Sequence, residues 1–318
     1  MTGYDRPNLR RAAEAAIRAP SLHNSQPWLF RLRDGAIEVL ADTSRQLPVA
    51  DSTGWAARIA CGAATFNAAL ALAVNGTPAH TALRPTGADA EVMARLTPAA
   101  PRPPSYLEQD LFRAIPRRFS NRLPFWPQAV PPQARARLLD AAHAEGCWLE
   151  LLVGMTALAA FAEIAQSADR VLRRDAGYQA EMSAWVHTDV AHDGVPVAAG
   201  GPAPEPQDLL PQRSFNDRRR APGRDFEPEP LVGILGSAGD TAADQLAAGR
   251  ALQRLLLTVT DAGLASSMIS QPIEVPAARD QLRRSLSRAG VPQMALRIGY
   301  GQPGRPTPRR DVDDVLID

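Results

Sequence analysis

Two apolar stretches, residues 62–75 and 245–262, repeat one another, and this repeat limits the fold more than any other feature of the chain. Gly62, Ala64 and Gly76 recur at constant spacing as Gly249, Ala251 and Gly263, with Leu70 matching Leu257 and Leu72 matching Val259. Self-similarity of this kind implies two copies of one supersecondary unit. The preceding residues agree: Ala15-Ala16 come before Trp28-Leu29 as Ala141-Ala142 come before Trp148-Leu149. Both stretches read as helices, and their apolar character predicts that they are largely buried.

Around this repeat the pattern predicts a helix over 7–19, with Pro7 in its first turn and Pro20 stopping it. Leu9, Ala12, Ala13, Ala16 and Ile17 form its apolar face. Strands over 28–32 and 36–41 flank the hairpin dipeptide Asp34-Gly35. Residues 98–104 read as a linker. A helix over 132–144 leads to a strand over 148–153, followed by helices over 156–166 and 169–186. Residues 193–230 form a long Gly/Pro-rich insertion of the kind that serves as a lid or stays irregular. Strands over 231–235 and 294–298 bracket the second long helix. The two halves are expected as 1–104 and 105–318.

The halves are not identical. Residues 20–27 sit between helix and strand in the first copy and have no equivalent in the second. Conversely, the run Arg117-Arg118-Phe119-Ser120-Asn121-Arg122 has no equivalent in the first. Each half therefore carries one part of a site.

Composition narrows the chemistry. The 318 residues carry a formal net charge of +1, too little excess positive charge for a nucleic-acid binder. No lysine occurs in the chain, so anion contacts fall to arginine, backbone N–H groups and hydroxyls. A Schiff-base lysine and a P-loop lysine are excluded. The G-x-S-x-G elbow is not present. Cys61 and Cys147 have no metal or disulfide spacing and read as reduced core thiols. His80, His143, His187 and His192 show no ligand spacing. The polar N-terminus lacks a signal-peptide core and no long uninterrupted apolar run occurs, so a soluble cytoplasmic protein is expected.

The segment Ala19-Pro20-Ser21-Leu22-His23-Asn24-Ser25-Gln26-Pro27-Trp28 resembles the A-P-S-x-x-N-x-Q-P-W signature of the nitroreductase superfamily. Read by itself, it is a helix stop followed by a loop offering backbone groups and amide side chains in fixed geometry, which suits the polar edge of a flavin ring. The run 117–122 resembles the superfamily's R-R-S-x-R phosphate-binding start, with one residue inserted before the serine. Alone it would read as a solvated charged face; with the loop it reads as a phosphate site of guanidinium forks and a hydroxyl. The stretch Arg297-Ile298-Gly299-Tyr300-Gly301 followed by Arg309-Arg310 resembles the final strand and trailing phosphate-binding arginine, without distinguishing Arg309 from Arg310. The pattern is most similar to the duplicated, single-chain Acg type, carried by Arg117 to Phe125, Arg170 to Trp185, Asp193 to Pro196, and Arg309-Arg310.

The resemblance implies an α+β nitroreductase-like fold: two pseudo-repeats, each a mostly antiparallel sheet flanked by helices, packed as an internal dimer about the two long helices. It implies FMN as cofactor, shared in the superfamily between the arginines of one subunit and the loop of the other. One complete site per chain and a monomer acting as a pseudo-dimer follow. The implied cofactor-binding residues are Pro20, Ser21, Leu22, His23, Asn24, Gln26, Arg117, Arg118, Ser120, Arg122, Ser270, Gln271, Arg309 and Arg310, with His23 contributing through its backbone and no catalytic side chain required. The implied reaction passes hydride from NAD(P)H through FMN to a nitro or quinone-type acceptor. A non-enzymatic FMN storage protein, with residues 193–230 as a lid over the flavin, is the alternative; a relic that binds no flavin is a third reading. No nucleic-acid, membrane or metal partner is expected. Arg213-Ser214-Phe215-Asn216-Asp217-Arg218 superficially repeats the arginine run but reads as a solvated lid segment.

Overall fold

The computed structural model describes all residues except Met1, Thr2, Asp189, Val190, Ser214, Asp217, Arg224 and Ser287. In chain order it forms α1 (Arg6–Ala16), β1 (Trp28–Arg33), β2 (Ala36–Ala41), α2 (Trp55–Val74), β3 (Ala79–Leu83), β4 (Val92–Pro98), α3 (Tyr106–Ala114), α4 (Pro132–His143), β5 (Trp148–Leu152), α5 (Met155–Arg174), α6 (Ala176–Ala184), β6 (Val186–His187), β7 (Val195–Pro196), β8 (Leu231–Ser237), α7 (Ala242–Asp261), β9 (Ala265–Ile269), α8 (Gln271–Glu274), α9 (Pro276–Ser285) and β10 (Val291–Gly299).

Two compact units result. One comprises Met1–Arg118, Asp240–Asp261 and Arg309–Asp318; the other comprises Phe119–Gly239 and Ala262–Pro308. These limits differ from the halves read in the sequence. Leu111, Ala114 and Ile115 from α3 and the turn after it join one apolar cluster with Phe66, Leu70 and Leu257. That burial ties the segment after residue 104 and part of α7 to the first unit.

The first unit holds an antiparallel sheet ordered β1-β2-β4-β3. Asp34 and Gly35 both take positive φ, 53° and 69°, the backbone of the expected type I′ hairpin. Trp28, Phe30, Ile37, Val39 and Leu96 of the sheet share one core with Leu9, Ala12, Ala16 and Leu72 of the helices. The C-terminal tail runs beside β1, with Ile317 N–H donating to Phe30 O at 2.9 Å and Leu316 bridging Phe30 in parallel.

Helix α2 begins seven residues before the sequence pattern placed it. Gly54, at φ 73°, turns the chain, and the Asp51 carboxylate accepts from Ala56 N–H and Ala57 N–H at 2.9 and 2.8 Å. These are first-turn donors that the helix itself cannot satisfy. All of α2 except Arg58, Ala69 and Val74 is buried, as for a helix enclosed on every side. It is long and apolar enough by composition to cross a membrane, and most of that window is buried inside the protein.

Helix α7 lies against α2 within the first unit, and positions matched in the sequence comparison of the two stretches meet. A Cβ on Gly62 would stand 2.2 Å from Leu246 O, and one on Gly249 would stand 2.2 Å from Ile59 O. Further along, Gln253 Nε2 donates to Asn67 Oδ1 at 2.8 Å. The exchanged pair, Arg254 and Phe66, forms a cation–π contact at 5.9 Å. Each of these contacts has a partner related by swapping the two copies, which is the pattern of an isologous interface.

The second unit holds an antiparallel sheet ordered β5-β8-β10-β9. First, second, fourth, third is the same strand order as in the first sheet. The helices expected over 156–166 and 169–186 are instead one 20-residue helix, α5, and a short α6. The break falls at Asp175, whose side chain accepts from Tyr178 N–H and so caps α6. Strands β3, β4 and β9 and helices α3 and α9 were not read in the sequence at all.

Candidate flavin site

The signature loop is built from strained backbone. His23, Asn24 and Gln26 have φ of 51°, 57° and 54°, three of the five non-glycine residues at positive φ among those described. Each such residue costs on the order of 1–3 kcal/mol and persists only where its surroundings fix it. Ser21 Oγ accepts from Gln26 N–H at 2.9 Å, Arg45 Nε donates to Ser25 O, and Cys61 Sγ lies 3.3 Å from Pro27 O. Gln26 is fully buried and His23 and Asn24 nearly so. Burial pushes the Cys61 thiol up to about 12, in keeping with a reduced core cysteine.

The first unit brings three of the predicted arginines, Arg118, Arg309 and Arg310, to the neighbourhood of this loop. Arg118 is 4% exposed and donates from Nη2 to Arg18 O at 3.1 Å. Its Nε is buried with no hydrogen-bond partner. Arg309 donates from Nη1 to Asn24 Oδ1 at 2.9 Å and from Nη2 to Ala19 O at 3.1 Å. Burial depresses the Arg118 pKa to about 10. Burial, together with the charges of Arg118 and Arg18, depresses that of Arg309 to about 9. Burial penalises both guanidinium charges, and at Arg309 the like charges add to that cost.

Arg310, its neighbour in sequence, is differently placed. Its Nη1 meets Asp42 Oδ2 at 3.1 Å, and its backbone N–H donates to Gln26 Oε1 at 2.9 Å. Arg117 is not part of the cluster. It is exposed and turns back to Arg113 O at 3.2 Å.

The remaining predicted residues belong to the second unit. Ser120 bridges Ser266 of β9, and Asn121 N–H donates to Ser266 O at 2.8 Å. Arg122 donates to Ala199 O at 3.1 Å and stacks over Phe215 at 4.7 Å. Burial and then the nearby Arg213 lower its pKa to about 10. Ser120 and Arg122 line a cavity of about 350 Å³ with Arg218 and Arg305, and among the described residues no carboxylate lines it. Ser270 stands at the N-cap position of α8 without a side-chain capping bond, and Gln271 Nε2 lies 3.4 Å from Asp169 Oδ1.

Arg213, in the run read as solvated, is instead held inside the second unit. It pairs with Glu274 at 2.6 Å, with side-chain exposures of 13% and 1%, and donates to Ser270 Oγ at 3.3 Å. Tyr178 Oη donates to the other Glu274 oxygen at 2.8 Å. Burial alone would depress the Arg213 pKa, but Glu274 and Tyr178 hold it above the ordinary arginine value. Ser214 and Asp217 of the same run lie outside the described residues. The insertion therefore packs on the arginine run: Ala199 accepts from Arg122, Phe215 underlies it, and a Cβ on Gly201 would stand 2.5 Å from Arg122 O.

Sequence reasoning missed Asp42 and Glu274, the carboxylates that fix Arg310 and Arg213. Neither stands in a motif, and nothing in the linear pattern pairs them with arginines so distant in sequence.

No family model matches the chain. Among solved structures it is similar to a nitroreductase with bound FMN from Desulfitobacterium hafniense, 11% identical, with 66% of this chain and 98% of that one covered at a TM-score of 0.44. It is 29% identical to a Mycobacterium tuberculosis protein named "Putative NAD(P)H nitroreductase acg", over 97% of this chain and 95% of the relative. It is 31% identical to "Putative NAD(P)H nitroreductase Rv3131" of the same organism, over 98% of this chain and 92% of the relative. With that identity sustained along almost the whole of both chains, this protein belongs to the nitroreductase family.

Proposed function

We propose that the protein is an FMN-dependent NAD(P)H oxidoreductase that reduces a small nitro or quinone-type acceptor. The observation that carries this reading is the buried pair Arg118 and Arg309 beside the signature loop, the first donating to Arg18 O and the second to Ala19 O and Asn24 Oδ1, with burial lowering their pKa values to about 10 and about 9. A phosphate monoester fits such a place, since it brings two negative charges and several acceptors to guanidinium forks. The orphaned Arg118 Nε supplies a donor of the kind a phosphate oxygen requires. Arg309 also fixes Asn24 by its Oδ1, so phosphate binding and loop geometry are joined in one side chain. Bound FMN supplies two-electron chemistry between a reduced nicotinamide and the acceptor. The chain's own part is to bind the phosphate, present the strained loop to the ring edge, and stabilise negative charge there.

We also infer that the chain is a fused pair of family-like repeats acting as a soluble monomer. The two identical strand orders and the exchange-related contacts between α2 and α7 support this.

The insertion favours a second reading. Its contacts on Arg122 and the Arg213–Glu274 pair suit a cover that keeps nicotinamide from a stored flavin. One experiment separates the two. We expect the purified protein to be yellow and to bleach within seconds when NADPH or NADH is added anaerobically. Yellow protein that bleaches only after Arg213→Ala loosens the insertion would favour storage. Colourless protein that takes up no added FMN would overturn both.

A further inference from the structure

Arg309 and Arg310 are adjacent in sequence, yet their surroundings oppose each other. Arg309 is buried beside the like charges of Arg118 and Arg18, whereas Arg310 is paired with Asp42. The other contacts of Arg310 all go to the signature loop or its own tail. Its backbone N–H donates to Gln26 Oε1 at 2.9 Å, its Nη1 lies 3.4 Å from Gln26 O, and its Nη2 donates to Asp314 O at 2.8 Å. We propose that the Arg310–Asp42 pair is a positioning device for the loop, holding Gln26 in the conformation that receives the ring while touching no part of the cofactor. This rests on the FMN reading above.

Gln26 needs such a hold. It sits at φ 54°, a backbone state that a non-glycine residue keeps only under constraint. Its carboxamide could otherwise turn over and exchange donor for acceptor. A backbone N–H can bond only to the oxygen, so Arg310 settles the orientation. The oxygen faces the tail and Nε2 faces Asn24 O, 3.4 Å away. Asp42 is itself fixed where the chain leaves β2, its Oδ1 accepting from Ser44 N–H at 3.2 Å. The tail is anchored beyond Arg310 by Ile317 N–H on Phe30 O and by the ion pair of Arg10 with Asp313. The loop is thus clasped between the end of β2 and a tail more than 280 residues away in sequence.

The test compares FMN with riboflavin, which lacks the phosphate, by quenching of flavin fluorescence on binding. Arg309→Ala should weaken FMN binding far more than riboflavin binding. Arg310→Ala should weaken both by the same factor, about tenfold, and shift the visible absorption of the bound flavin. Arg310→Lys, which keeps a cation for Asp42, should recover most of the loss, and Asp42→Asn should reproduce part of it. Should Arg310→Ala fail to fold, Asp42→Asn carries the same comparison. Unchanged affinities, or a loss confined to FMN, in the Arg310 and Asp42 variants would overturn the proposal. Wild-type protein that binds neither flavin would be a different result, removing the FMN reading itself.

Discussion

Among the described residues, Arg118 meets one carbonyl and no counterion. A guanidinium in that position is poorly explained by stability, because a buried charge left without a partner is destabilising. The sign of its pH dependence follows from the lowered pKa. Below about 10 the buried charge is present in full. Above that value the folded chain sheds a proton that the unfolded chain keeps, so this contribution to stability improves as pH rises toward the ordinary arginine range. Arg118→Met should therefore leave the thermal midpoint of the flavin-free protein at neutral pH unchanged or raised. It should also weaken FMN binding by about 10–100-fold, the equivalent of a lost charged hydrogen bond of about 1.5–3 kcal/mol. Scanning fluorimetry and flavin titration read the two effects separately. A lowered midpoint with unaltered affinity would make Arg118 a structural residue. The sequence singled out Arg118 but could not set it apart from Arg117, nor Arg309 from Arg310. In each pair the members differ only in what the folded chain lays against them.

At the scale of elements, the crossing of α2 and α7 accounts for the two repeat glycines. Glycine inside a helix is worse than alanine by roughly 1 kcal/mol, so both are retained for another reason. That reason is the approach of backbone: the added Cβ would meet a carbonyl oxygen at 2.2 Å on either side. Gly62→Ala and Gly249→Ala should each destabilise by about 1–3 kcal/mol or more, as overpacking does. Being related by the repeat, they should do so by similar amounts in urea denaturation. Indifference to either change would mean that the helices part more readily than this contact allows. The glycines were legible because a periodic apolar helix exposes its small residues to inspection. The true start of α2 was not, because Asp51 caps from beyond an αL glycine rather than from an N-cap position. β3 was missed for a related reason: it is half-buried or exposed along its whole length and shows no apolar run. The insertion was recognised as irregular, but the burial of Arg213 depends on Glu274, which no local pattern supplies.

At the scale of the whole molecule, the repeat is symmetric in its strands and asymmetric in its loops. Both sheets follow one strand order, yet eight residues of signature loop, 20–27, separate α1 from β1 only in the first copy. In the second copy α4 ends at His143 and β5 begins at Trp148, with a turn through Gly146 at φ 71° between them. That turn has no room for strained loop residues and no counterpart of Asn24 or Gln26. The first compact unit, by contrast, gathers the loop and Arg118 from its first stretch of chain and Arg309 from its last. On the fused-pair reading proposed above, such a chain would keep one of the two sites that its symmetry would allow. FMN titration should accordingly saturate at one equivalent per chain. The decisive comparison is Arg118→Met at subsaturating FMN: with a single site the bound flavin should fall toward zero. A drop to half, with the remainder binding at wild-type affinity, would require a second, independent site and would end the single-site account.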